Sequence, residues 1–295
     1  MNDLERHSIV RLKQYTTLRV GGRPLLYARP RGYSELTAVL RCCRERHLPV
    51  RIMGGGSNLL ADDGDLPFAV IHIRSPGFCW IRPVAPATVR VGAGTVLPRL
   101  LAYCREAGLS GLEFLAGVPG TVGGALAGNA GAWGAAIGER FARAWALDET
   151  GNKVEVAADG MAFRYRSCDL GRRIIAEAEL ELAPCDPELI SQRMACFAAR
   201  KAQVHPTASA SAGCVFKNPP EAPAGKLLDL CGMKGRRIGG AEVSRLHANF
   251  ICNVAGATSQ DVLELIAEMR DAVRRNYGME LELEVRHWSS TQEAA

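Results

Sequence analysis

Apolar positions recur at Leu36, Val39, Leu40 and Cys43 within residues 33–47, the i, i+3, i+4, i+7 spacing of one helix face. Ser34 stands where it could cap that helix, and Arg44, Arg46 and His47 suit its C-terminal dipole. Short strands are expected at residues 50–52 and 69–73, on either side of a glycine triplet. A strand is expected at 88–91, a turn at Gly92-Ala93-Gly94-Thr95 and a helix at 96–107. Residues 176–182 alternate small or apolar side chains with Glu177, Glu179 and Glu181, the period of a half-buried strand. The clearest helix opens at a Thr258/Asp261 capping box, runs through Val262, Leu265, Ile266, Met269 and Val273, and stops at Gly278. The chain then alternates Met279, Leu281, Leu283 and Val285 with Glu280, Glu282, Glu284 and Arg286. That pattern predicts a last strand whose open face carries three carboxylates.

These elements group into three consecutive segments, 1–73, 74–183 and 184–295, with no repeat or long linker between them. At 47% hydrophobic and 23% charged residues the composition is that of a globular chain with real cores. No apolar run nears the ~20 residues that span a bilayer, and Asp3, Glu5 and Arg6 do not suit a signal peptide. A soluble, cytoplasmic protein without membrane insertion is therefore expected. The net charge of +5 (36 Lys+Arg, 31 Asp+Glu) suits small anionic substrates and does not call for nucleic acid. The ten cysteines form no CxxC pair and no metal-ligand cluster, so reduced thiols and no metal are expected.

Glycine changes the picture more. Eight of the 31 glycines fall between Gly117 and Gly138. Consecutive glycines after a strand let backbone N–H groups converge on an anion without interference from Cβ atoms. A diphosphate would suit them, and tight turns in a compact sheet would explain a single such loop equally well. Neither GxGxxG opening a long helix nor GxxxxGK[ST] is present, which weighs against Rossmann and Walker sites. Three glycine loops in adjacent segments favour one extended phosphate-bearing cofactor.

Gly54-Gly55-Gly56-Ser57-Asn58-Leu59-Leu60, Gly117-Val118-Pro119-Gly120-Thr121-Val122-Gly123-Gly124 and Asn129-Ala130-Gly131 resemble the FAD signature of the MurB family, the UDP-N-acetylenolpyruvoylglucosamine reductases. Tyr165-Arg166, Ser211-Ala212-Gly213-Cys214-Val215-Phe216-Lys217-Asn218-Pro219, Gly239-Gly240-Ala241, His247-Ala248-Asn249-Phe250 and Leu281-Glu282-Leu283-Glu284-Val285 continue the resemblance in family order over nearly the whole chain. The chain resembles the shorter of the family's two types. The resemblance implies an α+β fold. A two-lobed FAD-binding domain of the vanillyl-alcohol-oxidase (PCMH) type would occupy 1–73 and 74–183, and a C-terminal α/β substrate-binding domain would occupy 184–295. It implies bound FAD, NADPH as hydride donor, and reduction of UDP-N-acetylglucosamine-enolpyruvate to UDP-N-acetylmuramate for peptidoglycan synthesis.

Carried over residue by residue, the resemblance gives Arg166 the substrate carboxylate and Glu284 a share in stabilising the enolate. Gly54, Gly55, Gly56, Ser57, Asn58, Gly117, Pro119, Gly120, Thr121, Gly123, Gly124, Asn129 and Gly131 fall to FAD, and Tyr165, Asn218 and Lys234 to the substrate. Alternation alone does not select Glu284 from Glu280 and Glu282; the motif register does. Cys214 stands where the family usually has a proton-donating serine, and a thiol, ionising near ~8.5, is the stronger acid. Cys168 and His205 replace a usual Ser and Gln. Another flavin oxidase or dehydrogenase of the same fold, or a flavin- or nucleotide-sugar-binding protein without turnover, are the alternatives.

Overall fold

The computed structural model describes residues 10–291, so Asp3, Glu5 and Arg6 lie outside the described residues. The chain divides into two compact units. Of the described residues, one unit takes those up to Leu25, Gly56–Pro67 and those from Lys201 on; the other takes Leu26–Gly55 and Phe68–Arg200. These units do not follow the consecutive boundaries expected at 73/74 and 183/184. The reason is visible in the first unit. Leu18, Val20 and Leu60 enter the C-terminal apolar core, Thr17 Oγ1 donates to the Ser211 carbonyl at 2.6 Å, and Asn253 Nδ2 donates to the Leu18 carbonyl at 3.1 Å. Strand Leu59–Ala61 pairs in parallel with Arg286–Trp288.

In the second unit, strands ordered Lys153–Ala157, Phe141–Leu147, Ile174–Glu181, Thr88–Gly92, Ile81–Ala85 form an antiparallel sheet. A three-stranded sheet orders Arg23–Ala28, Asp65–His72, Val50–Met53, its last two strands parallel. The opening residues of the first two of these strands belong to the other unit. Helix Tyr33–Glu45 buries Leu36, Val39, Leu40 and Cys43 as the periodicity required. Its N-cap is Gly32, not Ser34, which lies inside the first turn, and no side chain caps the helix. Helix Leu97–Glu106 follows the expected turn.

Strand Ile174–Glu181 departs from the alternating reading. Glu177 is only 4% exposed, because Tyr33 from the helix covers that face and donates to its carboxylate. Arg90 Nε at 2.8 Å and Lys153 Nζ at 3.1 Å complete its partners. Burial pushes the carboxyl up, but the bonds from Tyr33, Arg90 and Lys153 outweigh it and hold Glu177 below the usual carboxylate range.

The first unit is built on an antiparallel sheet ordered Ser211–Cys214, Phe250–Asn253, Ala241–Val243, Arg237–Ile238. Helix Ser259–Tyr277 packs on it through Val262, Leu265, Ile266, Met269 and Val273, capped by the Thr258/Asp261 box and ended at Gly278. The strand expected over 279–286 is not formed as such. The segment makes one isolated bridge, Phe216 to Leu283, and a ladder begins only at Arg286. Its apolar positions still seek the core: Leu281 and Val285 are buried. Among the described residues no helix is long and apolar enough to cross a membrane.

Candidate active site

The elements of the first unit bring two of the three expected catalytic residues to one place. Cys214 ends the strand Ser211–Cys214. Ser211 pairs with Cys252 and Cys214 with Phe250, so one extra residue is accommodated between them, where Gly213 takes φ +81°. A bulge of this kind turns the following side chain out of the regular pleat, and glycine adopts its left-handed turn without strain. Just beyond, Glu284 N–H donates to the Val215 carbonyl at 2.8 Å, so the backbone of Glu284 lies against the residue following Cys214. Asn58 Nδ2 donates to the Glu284 carbonyl at 3.0 Å, and the Asn58 carbonyl accepts from Arg286 N–H at 3.1 Å. The Ser57 carbonyl stands 4.0 Å from the position of a Cβ on Gly213. Glu280 and Glu282 are exposed whereas Glu284 is half-buried. Packing thus separates the third carboxylate from its two neighbours, as alternation could not.

A residue named in the sequence only as part of a motif supports this arrangement. Asn249 is 1% exposed. Its Oδ1 accepts from Phe216 N–H at 2.9 Å, its Nδ2 donates to the Phe216 carbonyl at 2.8 Å, and its own carbonyl accepts from Val215 N–H at 2.8 Å. Asn249→Ala leaves a buried N–H and C=O of Phe216 without partners. It is expected to cost the C-terminal unit about 2–4 kcal/mol, read as an earlier urea midpoint; an unmoved midpoint overturns the role. Only the isolation of an asparagine within an apolar run hinted at it.

Asn218 Oδ1 accepts from Ala224 N–H at 3.0 Å, at the start of helix Ala224–Leu230. Lys234 pairs with Asp229 at 2.7 Å. Neither is therefore an idle surface group. His205, one of the departures from the family pattern, sits 5.2 Å from the His247 ring and 4.9 Å from Phe250. Burial, then the Lys201 and His247 charges, push it down to about 4, so it is neutral at pH 7.

The second unit holds Arg166, Tyr165 and most of the glycines. Tyr165 and Arg166 form the two-residue turn between strands Ala162–Arg164 and Ser167–Asp169. Tyr165 is 54% exposed, Arg166 has φ +53°, and its guanidinium lies 5.4 Å from the Tyr165 ring. Arg166 Nη1 donates to the Gly131 carbonyl at 2.6 Å. Asn129 Nδ2 donates to the Arg164 carbonyl at 2.9 Å and its Oδ1 accepts from Gly138 N–H at 3.0 Å. Burial, then Asp169, push the Cys168 thiol up to about 11, which keeps it protonated at neutral pH.

The glycine loops meet within this unit. A Cβ on Gly54 would fall 2.3 Å from Thr121 Oγ1, and one on Gly55 would fall 2.9 Å from the Gly120 Cα. Gly55 therefore meets the Gly120 backbone and Gly54 the Thr121 hydroxyl, approaches too close for a Cβ. Thr121 is buried and caps the helix Val122–Ala127 by accepting from Gly124 N–H. Gly117, Pro119 and Gly124 are exposed beside it, while Gly120, Gly123 and Gly131 are half-buried. A cradle of exposed backbone without Cβ atoms is what a dinucleotide diphosphate requires, so these residues fit FAD. Gly56, Ser57 and Asn58 continue the first loop into the other unit.

Behind Gly54 stands a histidine that sequence reading missed. The His72 ring is buried, takes a 2.5 Å hydrogen bond with Tyr27 Oη at Nδ1 and bonds the Gly54 backbone. Burial, then the Arg29 charge, push it down to about 4. The folded value lies below the unfolded ~6.5, so the unfolded chain binds the proton first and stability falls as pH drops from about 6.5 to about 4. His205, also pushed down to about 4, acts over the same range in parent and variant alike, and the carboxyls of Glu177 and Glu113, lowered from 4.5, act from there downward. Thermal unfolding from pH 7 to 4.5 is expected to lose less in His72→Gln than in the parent; equal slopes overturn this.

All ten cysteines are free thiols. The family described as FAD binding domain matches residues 24–156, and the family described as UDP-N-acetylenolpyruvoylglucosamine reductase, C-terminal domain, matches residues 205–288. Relatives include the UDP-N-acetylenolpyruvoylglucosamine reductase of Moorella thermoacetica, 40% identical over 279 residues (94% of this chain, 91% of the relative). That of Geobacter metallireducens is 38% identical over 276 residues (93% and 91%). The solved UDP-N-acetylenolpyruvylglucosamine reductase (MurB) of Thermus caldophilus is similar with a TM-score of 0.81 at 37% identity, covering 95% of this chain and 97% of that one. With the glycine cradle in place and the Glu284 backbone bonded to Val215 beside Cys214, this likeness over nearly its full length means that the chain belongs to the family of UDP-N-acetylenolpyruvoylglucosamine reductases.

Proposed function

We propose that the protein is an FAD- and NADPH-dependent oxidoreductase that reduces the enolpyruvyl group of UDP-N-acetylglucosamine-enolpyruvate to give UDP-N-acetylmuramate for peptidoglycan synthesis. Likeness to the curated reductases over 94% of the chain carries this reading. The protein acts in the cytoplasm on a small UDP-sugar, with no nucleic-acid partner. Gly54, Gly55, Gly56, Ser57, Asn58, Gly117, Pro119, Gly120, Thr121, Gly123, Gly124 and Gly131 hold the cofactor through backbone amides and the Thr121 turn. FAD, when bound, supplies the two-electron chemistry that carries hydride from NADPH to the terminal methylene of the substrate.

Hydride arriving at that methylene leaves negative charge on the carbon next to the substrate carboxylate. Arg166 holds the carboxylate, since a guanidinium stays charged and offers a planar fork of donors. Glu284 assists in holding the enolate, supported by its half-buried place beside the Cys214 strand. Cys214 Sγ gives its proton to the substrate α-carbon, and the thiolate regains one from solvent. Tyr165, Asn218 and Lys234 serve the substrate, Tyr165 from the exposed hairpin tip.

The purified protein is expected to be yellow, to bleach with NADPH under anaerobic conditions, and to regain colour with the enolpyruvyl nucleotide much faster than with oxygen. A colourless protein, or one that oxygen reoxidises as fast as the nucleotide does, overturns the reading.

A further inference from the structure

Arg166 is held in the left-handed region at φ +53°, a conformation that costs a side-chain-bearing residue ~1–3 kcal/mol and persists only where its surroundings enforce it. Four side-chain contacts of the second unit surround this turn. Asn129 Nδ2 grips the carbonyl of Arg164, the last strand residue before the turn, at 2.9 Å. Asn129 Oδ1 is at the same time anchored on Gly138 N–H at 3.0 Å. Phe163, on the same strand as Arg164, rests on Gly138, where a Cβ would fall 2.6 Å from its ring. The other face of the contact is Phe141, edge-on at 5.3 Å between centroids. Arg166 Nη1 closes the circuit on the carbonyl of Gly131, two residues beyond Asn129. Asn129 itself is left-handed, at φ +41°.

We infer that Asn129 is a positioning residue for Arg166, its amide committed to the hairpin that carries the guanidinium rather than to the flavin. The inference rests on the reading of Arg166 as holder of the substrate carboxylate. One Nη of the guanidinium is committed to Gly131, which fixes the plane in which the remaining donors face a carboxylate. Asn129 sets the height of the turn by tying the Arg164 carbonyl to Gly138. Loss of the tie lets the turn relax, and a displacement of about 1 Å at a reacting group costs on the order of 10²-fold in rate.

Two variants separate the bonds. Asn129→Gly keeps the left-handed backbone and removes both; Asn129→Asp keeps the acceptor for Gly138 and sets a carboxylate against the Arg164 carbonyl. The holoenzyme is followed by rapid mixing, first with NADPH and then with the enolpyruvyl nucleotide. Both variants are expected to keep FAD content and NADPH reduction within about twofold of the parent and to slow reoxidation by about 10–100-fold. Combined with Arg166→Lys, either should add little to the defect of Arg166→Lys alone. Amide exchange at Gly138 should rise in Asn129→Gly and stay low in Asn129→Asp, independent of turnover. Loss of FAD or of NADPH reduction with normal reoxidation by the nucleotide, or fully additive defects, overturns the inference. A defect in Arg166→Lys beside unaffected Asn129 variants overturns the positioning role alone. Normal reoxidation in Arg166→Lys overturns the reading of Arg166, and the inference with it.

Discussion

Replacing Cys214 with alanine is expected to leave flavin reduction by NADPH within about twofold of the parent and to slow reoxidation by the enolpyruvyl nucleotide roughly 10²–10⁴-fold, the range contributed by a positioned acid. The bulge at Gly213 and the bond from Glu284 N–H to the Val215 carbonyl hold the thiol's strand from both sides. Its acid is therefore placed before substrate arrives. Cys214→Ser restores the acid usual in the family and should recover most of the reoxidation rate. Normal reoxidation in Cys214→Ala removes Cys214 from the mechanism and returns it to the other nine thiols.

Arg166→Lys should slow reoxidation by about 10²–10³-fold, the scale of losing one preorganised group at developing charge, with NADPH reduction preserved. Lysine keeps the charge and lacks the planar fork, and it cannot hold both the Gly131 carbonyl and a carboxylate in the guanidinium's geometry. Thermal unfolding measured alongside separates the two duties of the side chain. A lowered midpoint with normal reoxidation would mean that Arg166 only braces its hairpin, and would overturn its catalytic assignment.

Local order is legible in the chain itself. The helices Tyr33–Glu45 and Ser259–Tyr277 follow from apolar spacing, and the second also from its caps, because periodicity and capping act within a few residues. The glycine loops are legible as backbone suited to close approach. What approaches them is not: Gly54 and Gly55 meet Thr121 and Gly120, some 65 residues away in the chain. Alternation in 176–182 and 279–286 predicts the pleat and misplaces its surroundings. Glu177 is covered by Tyr33, and the C-terminal segment pairs through single bonds instead of a ladder. Period-2 patterning says which side chains share a face; it carries no information about what lies on that face.

The motif order is what proposes Arg166, Cys214 and Glu284 as the catalytic set, and for Cys214 it does so by register alone, because the residue itself departs from the usual serine. Only the tertiary structure joined the N-terminal segment and Leu59–Ala61 to the C-terminal core. It alone committed the amide of Asn129 to the Arg166 hairpin and that of Asn249 to the segment after Cys214. An asparagine amide offers the same donors and acceptors in any sequence, and which groups it satisfies is settled by long-range packing that brings otherwise unpaired backbone within its reach.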